Sequence, residues 1–440
     1  MTTLHMGSQL WVLINTDRAA TDIISLRSTI TSERPHMPVS SGLVSNGKRS
    51  VIQESATWKE ARRLMRQLLT GPTTQTFTEW QDLESVQMLL SYLHEPKGWW
   101  KHQSRYATAV LYGVVTGERL SKTDAQMAEY RKITMEFLGS LFATTVDFFP
   151  ILELLPQSLQ PWRKYWKSVG ESHRHVFKSW WHPIKAKVDD GTAKPSWVRD
   201  VVLNPHTSFK GGEEEALYLT NSVISAGGDN PRMTLNTFVM ASIHCPSKFQ
   251  KCRQEIDIVC GSNANRLPGV EDISSMPYLC AFIKEVLRWR PIVPLVPPHQ
   301  LTEELEYGGF VFPKKTNFII NTIAVSADCD QPEEFLPERW LDGNEANLTH
   351  GFWGFGGGRR VCIGYKAAQP GLFLAVSRLI YCFDFESSGS YDSTRLNPWS
   401  TEEPFPVRIS NRSIRHEDLI RKEAAARGLH PHVESSESGP

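Results

Sequence analysis

The sequence predicts a mainly α fold with a smaller β-rich part, an α+β arrangement, and three observations carry that reading. Apolar residues recur at helical spacing along much of the chain, most extensively in EEEALYLTNSVISAGGDNPRMTLNTFVMASIH, residues 213–244. Strand-like runs cluster at the start and around residues 308–325. The length of 440 residues, with 40% hydrophobic content, suffices for one large enzyme fold with an extensive core.

From the N-terminus, QLWVLIN (9–15) reads as an apolar strand and AATDIISLR (19–27) as a short helix after it. Helical patterning follows in WKEARRLMRQLL (58–69), SVQMLLSYLH (85–94), QSRYATAVLYGVV (103–115), the long 213–244 segment and AFIKEVLRWR (281–290). The Gly, Pro and Lys-Lys punctuation of GGFVFPKKTNFIINTIAV (308–325) suggests a hairpin. No internal repeat is present. The C-terminal segment from about residue 423 is polar and low in apolar content, as in disordered tails.

Lys+Arg 48 balances Asp+Glu 48, without the basic block that nucleic acid binding needs, which leaves small-molecule or protein partners. The seven cysteines (245, 252, 260, 280, 329, 362, 382) include no CxxC or other zinc spacing, as expected of reduced thiols. No apolar run approaches the roughly 18 residues of a membrane span, and the N-terminus lacks the pattern of a secretion signal.

One stretch, FWGFGGGRRVCIG (352–364), sets Cys362 among five glycines and two arginines. It does not fit a phosphate cradle, because Arg stands where GxGxxG or GxxxxGK[ST] needs glycine or lysine. A turn before the helix GYKAAQPGLFLAVSRLIYCF would account for the glycines alone. A metal-ligating thiolate, however, needs positive charge or backbone N–H groups beside it, which Arg360 and the glycines can supply. One cysteine without a second ligand at zinc spacing points to an axial thiolate on haem iron, since the porphyrin provides the other four ligands.

Phe355, Gly358, Arg360, Cys362 and Gly364 match FxxGxRxCxG, and the chain here resembles the cytochrome P-450 monooxygenases. Three further matches follow. KEVLRWRP carries Glu285 and Arg288 as ExxR, FLPERW carries Arg339 as their partner, and WKEAR carries Trp58 and Arg62 as WxxxR. ExxR alone is commonly a solvated pair on a helix; in company with Arg339 and Cys362 it reads as a buried structural ion trio. The resemblance spans about residue 7 to about residue 410. It implies the P-450 fold, haem b (iron protoporphyrin IX) with Cys362 as iron ligand, and Trp58, Arg62 and His299 near the haem propionates. It also implies one domain over 1–415, a partly disordered tail over 416–440, and a chain truncated ahead of its first strand so that the family's membrane anchor is missing.

The long helix departs from the family pattern. Where an acid and a threonine are usual, the chain has Ala226, Gly227, Gly228, Asp229, Asn230 and Pro231, so the threonine hydroxyl is absent. Asp229 is the expected proton relay, Asn230 a substitute for the alcohol, and Gly227 and Gly228 an uncrowded approach. Pro231 has no N–H to give the Gly227 carbonyl and is expected to kink or widen the helix. Ile224, Ala226, Val293 and Val296 are the expected pocket lining. The stretch IAVSADCDQPEEFLPERW (323–340) is several residues shorter than usual, with a possible cost to folding or haem loading.

The implied reaction is monooxygenation of an apolar small molecule with O2 and electrons from NADPH-cytochrome P-450 reductase or cytochrome b5. The reductase is expected on a basic face of Lys59, Arg63, Arg66, Arg359 and Lys366. The flavour is that of a fungal microsomal member in secondary metabolism, acting at the cytoplasmic face of the endoplasmic reticulum; with no anchor, this chain would be peripheral or soluble. DFFPILELLP (147–156) is read as core with partial membrane contact. Two alternatives stay open: a haem-thiolate isomerase or dehydratase needing no reductase, and a non-catalytic haem protein.

Overall fold

The computed structural model describes residues 1–69, 73–207, 209–392 and 402–431. Two strands, β1 (Thr2–Met6) and β2 (Gln9–Ile14), open the chain. Helices α1 (Ser55–Leu68), α2 (Thr73–His94), α3 (Trp99–Thr116), α4 (Asp124–Ala143) and α5 (Pro161–Asp189) follow. Next come α6 (Glu213–His244), α7 (Pro246–Cys260) and α8 (Pro277–Trp289). Strands β3 (His299–Gln300), β4 (Leu305–Tyr307), β5 (Phe310–Phe312) and β6 (Asn317–Ile320) precede α9 (Tyr365–Cys382). The strand pair β7 (Phe383–Ser387) and β8 (Val407–Asn411) and helix α10 (Ile414–Ala426) complete the chain.

The helical part is organised about α6. Its start is electrostatically favoured, with Glu213, Glu214 and Glu215 in the first turn where backbone N–H groups are unpaired. It packs along α3 so closely that glycine is required. A Cβ on Gly227 would lie 2.5 Å from Leu111 Cγ, and one on Gly228 would lie 2.7 Å from Thr108 Oγ1. Pro231 sits within one continuous helix and does not divide it. Helix α4, whose polar surface hides its periodicity in the sequence, begins at a reciprocal cap. Thr123 Oγ1 accepts from Gln126 N at 3.3 Å, and Gln126 Oε1 accepts from Thr123 N at 3.1 Å.

The β part corrects the expected hairpin. The strand β5 pairs antiparallel with β4 across the Gly308-Gly309 turn, whose φ values of 61° and 79° suit glycine. Strand β6 instead joins β2 in parallel and β3 antiparallel, giving the order β1-β2-β6-β3. The Pro-Lys-Lys stretch is thus a change of sheet rather than a hairpin turn.

The tail boundary is also corrected. Residues 416–431 of the expected tail are packed, with His416, Leu419, Ile420 and Ala424 of α10 buried against the helical core. Arg427 pairs with Asp82 of α2 at 2.9 Å, and Gln87 Nε2 donates to the His430 carbonyl at 2.9 Å. Amphipathic spacing in IRHEDLIRKEAAA, rather than overall polarity, was the useful signal. Residues 432–440 lie outside the described residues.

Candidate haem-thiolate site

Cys362 lies between a tight turn at Gly358–Arg360 and the start of α9. Its own N–H donates to the Phe355 carbonyl at 2.7 Å, which closes the loop on itself. Gly358 has φ 58°, and a Cβ there would fall 2.3 Å from the Ile24 carbonyl oxygen, so no other residue fits. Gly364 is under no such pressure: the nearest atom to its notional Cβ is Cys362 Sγ at 3.6 Å.

The N–H groups of Gly364 and Tyr365 point at the Cys362 sulfur, and Arg62 adds positive charge. Burial outweighs all three and pushes the thiol above its ordinary pKa. The side chain is nevertheless exposed by surface area, although dense protein surrounds it. The two observations agree if the sulfur faces an interior space. Such a thiol is neutral until a metal displaces its proton, and the amide donors then stabilise the bound thiolate.

The expectation that Arg360 supplies this positive charge is corrected. Its guanidinium turns away, with Nε donating to Ser32 O and Nη2 to Gln53 O, both at 2.9 Å, and stacks 4.0 Å over Trp58. Arg62 lies 5.6 Å over the same ring. Burial lowers Arg360 to about 10, Arg62 is also lowered, and Arg34, which sequence reasoning missed, is lowered by burial and by Arg360. Glu33 offsets part of this positive charge on Arg34 and Arg360.

His299 adjoins the same group. Its Nδ1 donates to Thr31 O at 2.8 Å, and burial with Arg34 and Arg360 nearby holds the ring well below the ordinary imidazole pKa. Three buried nitrogens here have no partner: Arg62 Nε, Arg360 Nη1 and His299 Nε2. The two arginine nitrogens are donors and His299 Nε2 is an acceptor, and buried polar groups left unpaired cost about 1–3 kcal/mol each. A cluster with surplus positive charge and free donors fits carboxylates such as the two propionates of iron porphyrin. With an accessible sulfur and its amide donors, the residues present fit that group.

The ion trio is assembled. Glu285 is fully buried and accepts from Arg288 Nη2 at 2.7 Å and Nε at 2.8 Å, with Arg339 Nε at 3.2 Å. Leu336 N at 2.8 Å and Trp340 Nε1 at 2.9 Å complete its shell. Arg288 also donates to the carbonyls of Ser326, Pro332 and Glu334, and Arg339 to those of Asp330 and Gln331. The short 323–340 connection is therefore closed by these two arginines. Trp340, adjacent to Arg339 in FLPERW, was legible as an indole donor and was missed.

On α6, Ala226 and Asn230 are exposed, four residues apart on one face, whereas Gly228 and Asp229 are buried. Asn230 Nδ2 donates to the Ala226 carbonyl at 2.9 Å, leaving Oδ1 as an acceptor. The missing side chains of Gly227 and Gly228 make room for α3, so they do not serve as an open approach. Asp229 does not share the Ala226 and Asn230 face; its Oδ1 pairs with buried Arg232 Nε at 2.8 Å, an i,i+3 partner visible in the sequence. Ile224 is buried among α3 and α4, and Val296 in the small β-side core, so neither lies on that face. Val293 is half-buried, with its carbonyl bound by Thr322 Oγ1.

Of the basic face, Lys59, Arg66, Arg359 and Lys366 are exposed, and Arg63 is half-buried at 4.0 Å from Glu60. The DFFPILELLP reading as core is corrected: Ile151, Leu154 and nearby Leu159 are 70%, 82% and 59% exposed. This row lies beside the first sheet, where Phe148 meets Trp11 edge to face at 5.1 Å.

The family model described as Cytochrome P450 matches residues 1–404. Cytochrome P450 monooxygenase fogE of Aspergillus ruber is 30% identical over 93% of this chain and 80% of its own length. Cytochrome P450 monooxygenase virE of Hypocrea virens is 30% identical over 87% of this chain and 72% of its own. Among solved structures, a zebra fish cytochrome P450 with progesterone superposes with a TM-score of 0.75 at 23% identity. That alignment covers 93% of this chain and 96% of the other.

Proposed function

Because the chain belongs to the cytochrome P450 family and its relatives are monooxygenases that bind haem, we propose that it oxidises an apolar small molecule of fungal secondary metabolism, with Cys362 as iron ligand. The observation that carries this reading is the match of the Cys362 loop to a thiolate ligand. An accessible sulfur receives two amide donors, and three unpartnered nitrogens wait among buried cations. Haem, once bound, supplies the oxygen chemistry, and a thiolate ligand favours O–O cleavage by electron donation.

The chain's own residues divide the remaining work. Arg62, Arg360 and His299 would hold the propionates; His299 commits its Nδ1–H to Thr31, which leaves Nε2 unpartnered. Phe355 fixes the loop through its carbonyl, and Glu285, Arg288 and Arg339 fix the segment behind it. Asn230 Oδ1 could accept a hydrogen bond from water but cannot donate as a threonine hydroxyl does, so water beside it would have to present the proton. The reaction takes RH, O2, NADPH and a proton to ROH, water and NADP⁺, with electrons arriving through NADPH-cytochrome P-450 reductase docked near Lys59, Arg66, Arg359 and Lys366. No helix among the described residues is long and apolar enough to cross a membrane, and the exposed Ile151, Leu154 and Leu159 row supports peripheral membrane contact.

The test is the absorption spectrum of the reduced, carbon monoxide-bound protein beside Cys362→Ala. The thiolate Soret band is expected in the wild type and not in the variant, followed by product formation that requires NADPH. A folded, haem-supplied wild type without that band overturns the haem-thiolate assignment. Product formed equally well without NADPH would favour the isomerase or dehydratase reading, which the missing threonine on α6 motivates.

A further inference from the structure

Arg49, in the segment ahead of α1, is only 2% exposed. Its neighbour Lys48 is paired with Glu215 at the start of α6, and Glu214 of the same turn is taken by Arg174 at 2.6 Å. Arg49 has no such partner: no carboxylate among the described residues pairs with it. Its Nη2 donates to His173 Nδ1 at 3.4 Å, and its Nε is buried and unpartnered. The guanidinium lies 4.1 Å over the ring of Phe137 and 4.8 Å over that of Phe177. Aromatic faces attract the charge but accept none of the bonds that a guanidinium directs in its own plane.

His173 does not supply the missing charge. The ring is fully buried, its Nε2 donates to half-buried Glu136 at 3.0 Å, and burial with Arg49 nearby lowers its pKa to about 3. It is therefore a neutral bridge. Burial lowers Arg49 itself to about 10, which leaves it protonated at neutral pH. A buried cation without a counter-ion costs free energy that a bound anion recovers.

Arg49 also sits at one end of a path toward the exposed Ala226 and Asn230. Tyr130 of α4 and Tyr218 of α6 are close enough to act on its charge. Tyr218 is one turn from Ser222, and Ser222 one turn from Ala226. Ser222 Oγ is a second buried polar group without a partner. The eight residues from Tyr218 to Ala226 span about 12 Å of helix.

We propose that Arg49 is a specificity-determining residue that binds the carboxylate of an otherwise apolar substrate, with Ser222 as a hydrogen-bonding partner along its length. A single planar cation with free in-plane donors matches a carboxylate in charge and shape. The proposal deepens the monooxygenase reading and rests on it: the acid end is held near Arg49 while a carbon about 12 Å away reaches the Ala226 and Asn230 face.

The test titrates the haem-loaded full chain with dodecanoic acid and with methyl dodecanoate, which has the same chain without the charge. Calorimetry reads binding whatever the state of the haem. The wild type should bind the acid at least tenfold more tightly than the ester, as one charge-assisted hydrogen bond supplies. Arg49→Met should abolish that preference by weakening acid binding alone. Arg49→Lys keeps the charge, guards against misfolding of the first variant, and should retain a smaller preference. The carbon monoxide spectrum should be unchanged in both, and crystals with the acid should place its carboxylate within hydrogen-bond distance of Arg49.

No binding of the acid, equal affinity for acid and ester in the wild type, a preference unchanged in both variants, or a carboxylate placed elsewhere overturns the proposal. A wild type that lacks the thiolate spectrum but prefers the acid through Arg49 is a different failure: the monooxygenase reading falls and the anion site stands.

Discussion

Trp340 donates its indole N–H to Glu285 at 2.9 Å and so joins the buried carboxylate to the segment that returns behind the haem loop. Five donors, from Arg288, Arg339, Leu336 and Trp340, converge on this one side chain. Trp340→Phe keeps the ring and removes one donor to a charged acceptor. The expected cost is about 1.5–3 kcal/mol in urea unfolding, the usual range for such a bond. Glu285→Gln should cost more, because buried Arg288 and half-buried Arg339 lose their counter-charge. A Trp340→Phe variant as stable as the wild type would show that the indole contributes nothing here.

The cations near Trp58 predict a separation between apo stability and haem retention. Half-buried Arg62 lies beside buried Arg360, which in turn lies beside Arg34, so apo protein holds repelling charges. Arg62→Leu should leave apo stability unchanged or raised while weakening haem retention at least tenfold, measured by transfer of haem to apomyoglobin. Equal haem transfer rates in variant and wild type would remove Arg62 from the propionate site.

Much of this site was legible because its chemistry is local in sequence. Cys362, Phe355, Gly358 and Arg360 sit in one loop, and Glu285 and Arg288 are one turn apart on α8. Their orientation was not legible. Arg360 was assigned to the sulfur by proximity in the chain, yet Trp58 and the carbonyls of Ser32 and Gln53 draw it away, and Arg62 on a distant helix takes that place. The same limit explains Gly227 and Gly228: the sequence shows that space is needed and not that Leu111 and Thr108 fill it. In the β part, local punctuation suggested a hairpin, whereas β6 is taken by the long-range partner β2.

The exposed row at Ile151, Leu154 and Leu159 predicts membrane contact that stability does not depend on. Replacing all three with Ser should change unfolding free energy by no more than about 0.5 kcal/mol per site, as for surface positions. Sedimentation with phosphatidylcholine vesicles should fall severalfold, since each exposed aliphatic side chain contributes roughly 1.5–3 kcal/mol when buried. Unchanged sedimentation would assign this row to another partner or to none.

The packed C-terminal helix predicts an acid sensitivity. His416 is buried against Tyr381 at 4.8 Å, with Nδ1 2.8 Å from Ser413 Oγ, and burial with Arg412 nearby lowers its pKa to about 4. In the unfolded chain the imidazole titrates near 6.5. Between those values the unfolded state binds the proton and the folded state does not, so stability rises with pH across this window. The contribution is fully present above about pH 6.5 and is lost as pH falls toward 4. Arg412, Arg253, Asp257 and Asp384 face the ring, and Arg412 pairs with Asp257 at 2.7 Å. His416→Phe keeps an aromatic ring beside Tyr381 and cannot take up a proton. Urea unfolding at pH 5 and pH 7.5 should therefore show a smaller pH difference in His416→Phe than in the wild type, by roughly 2 kcal/mol from the linkage relation. An identical difference in both proteins would mean that the acid sensitivity arises elsewhere, His173, lowered to about 3 by burial and Arg49, being the next group to substitute.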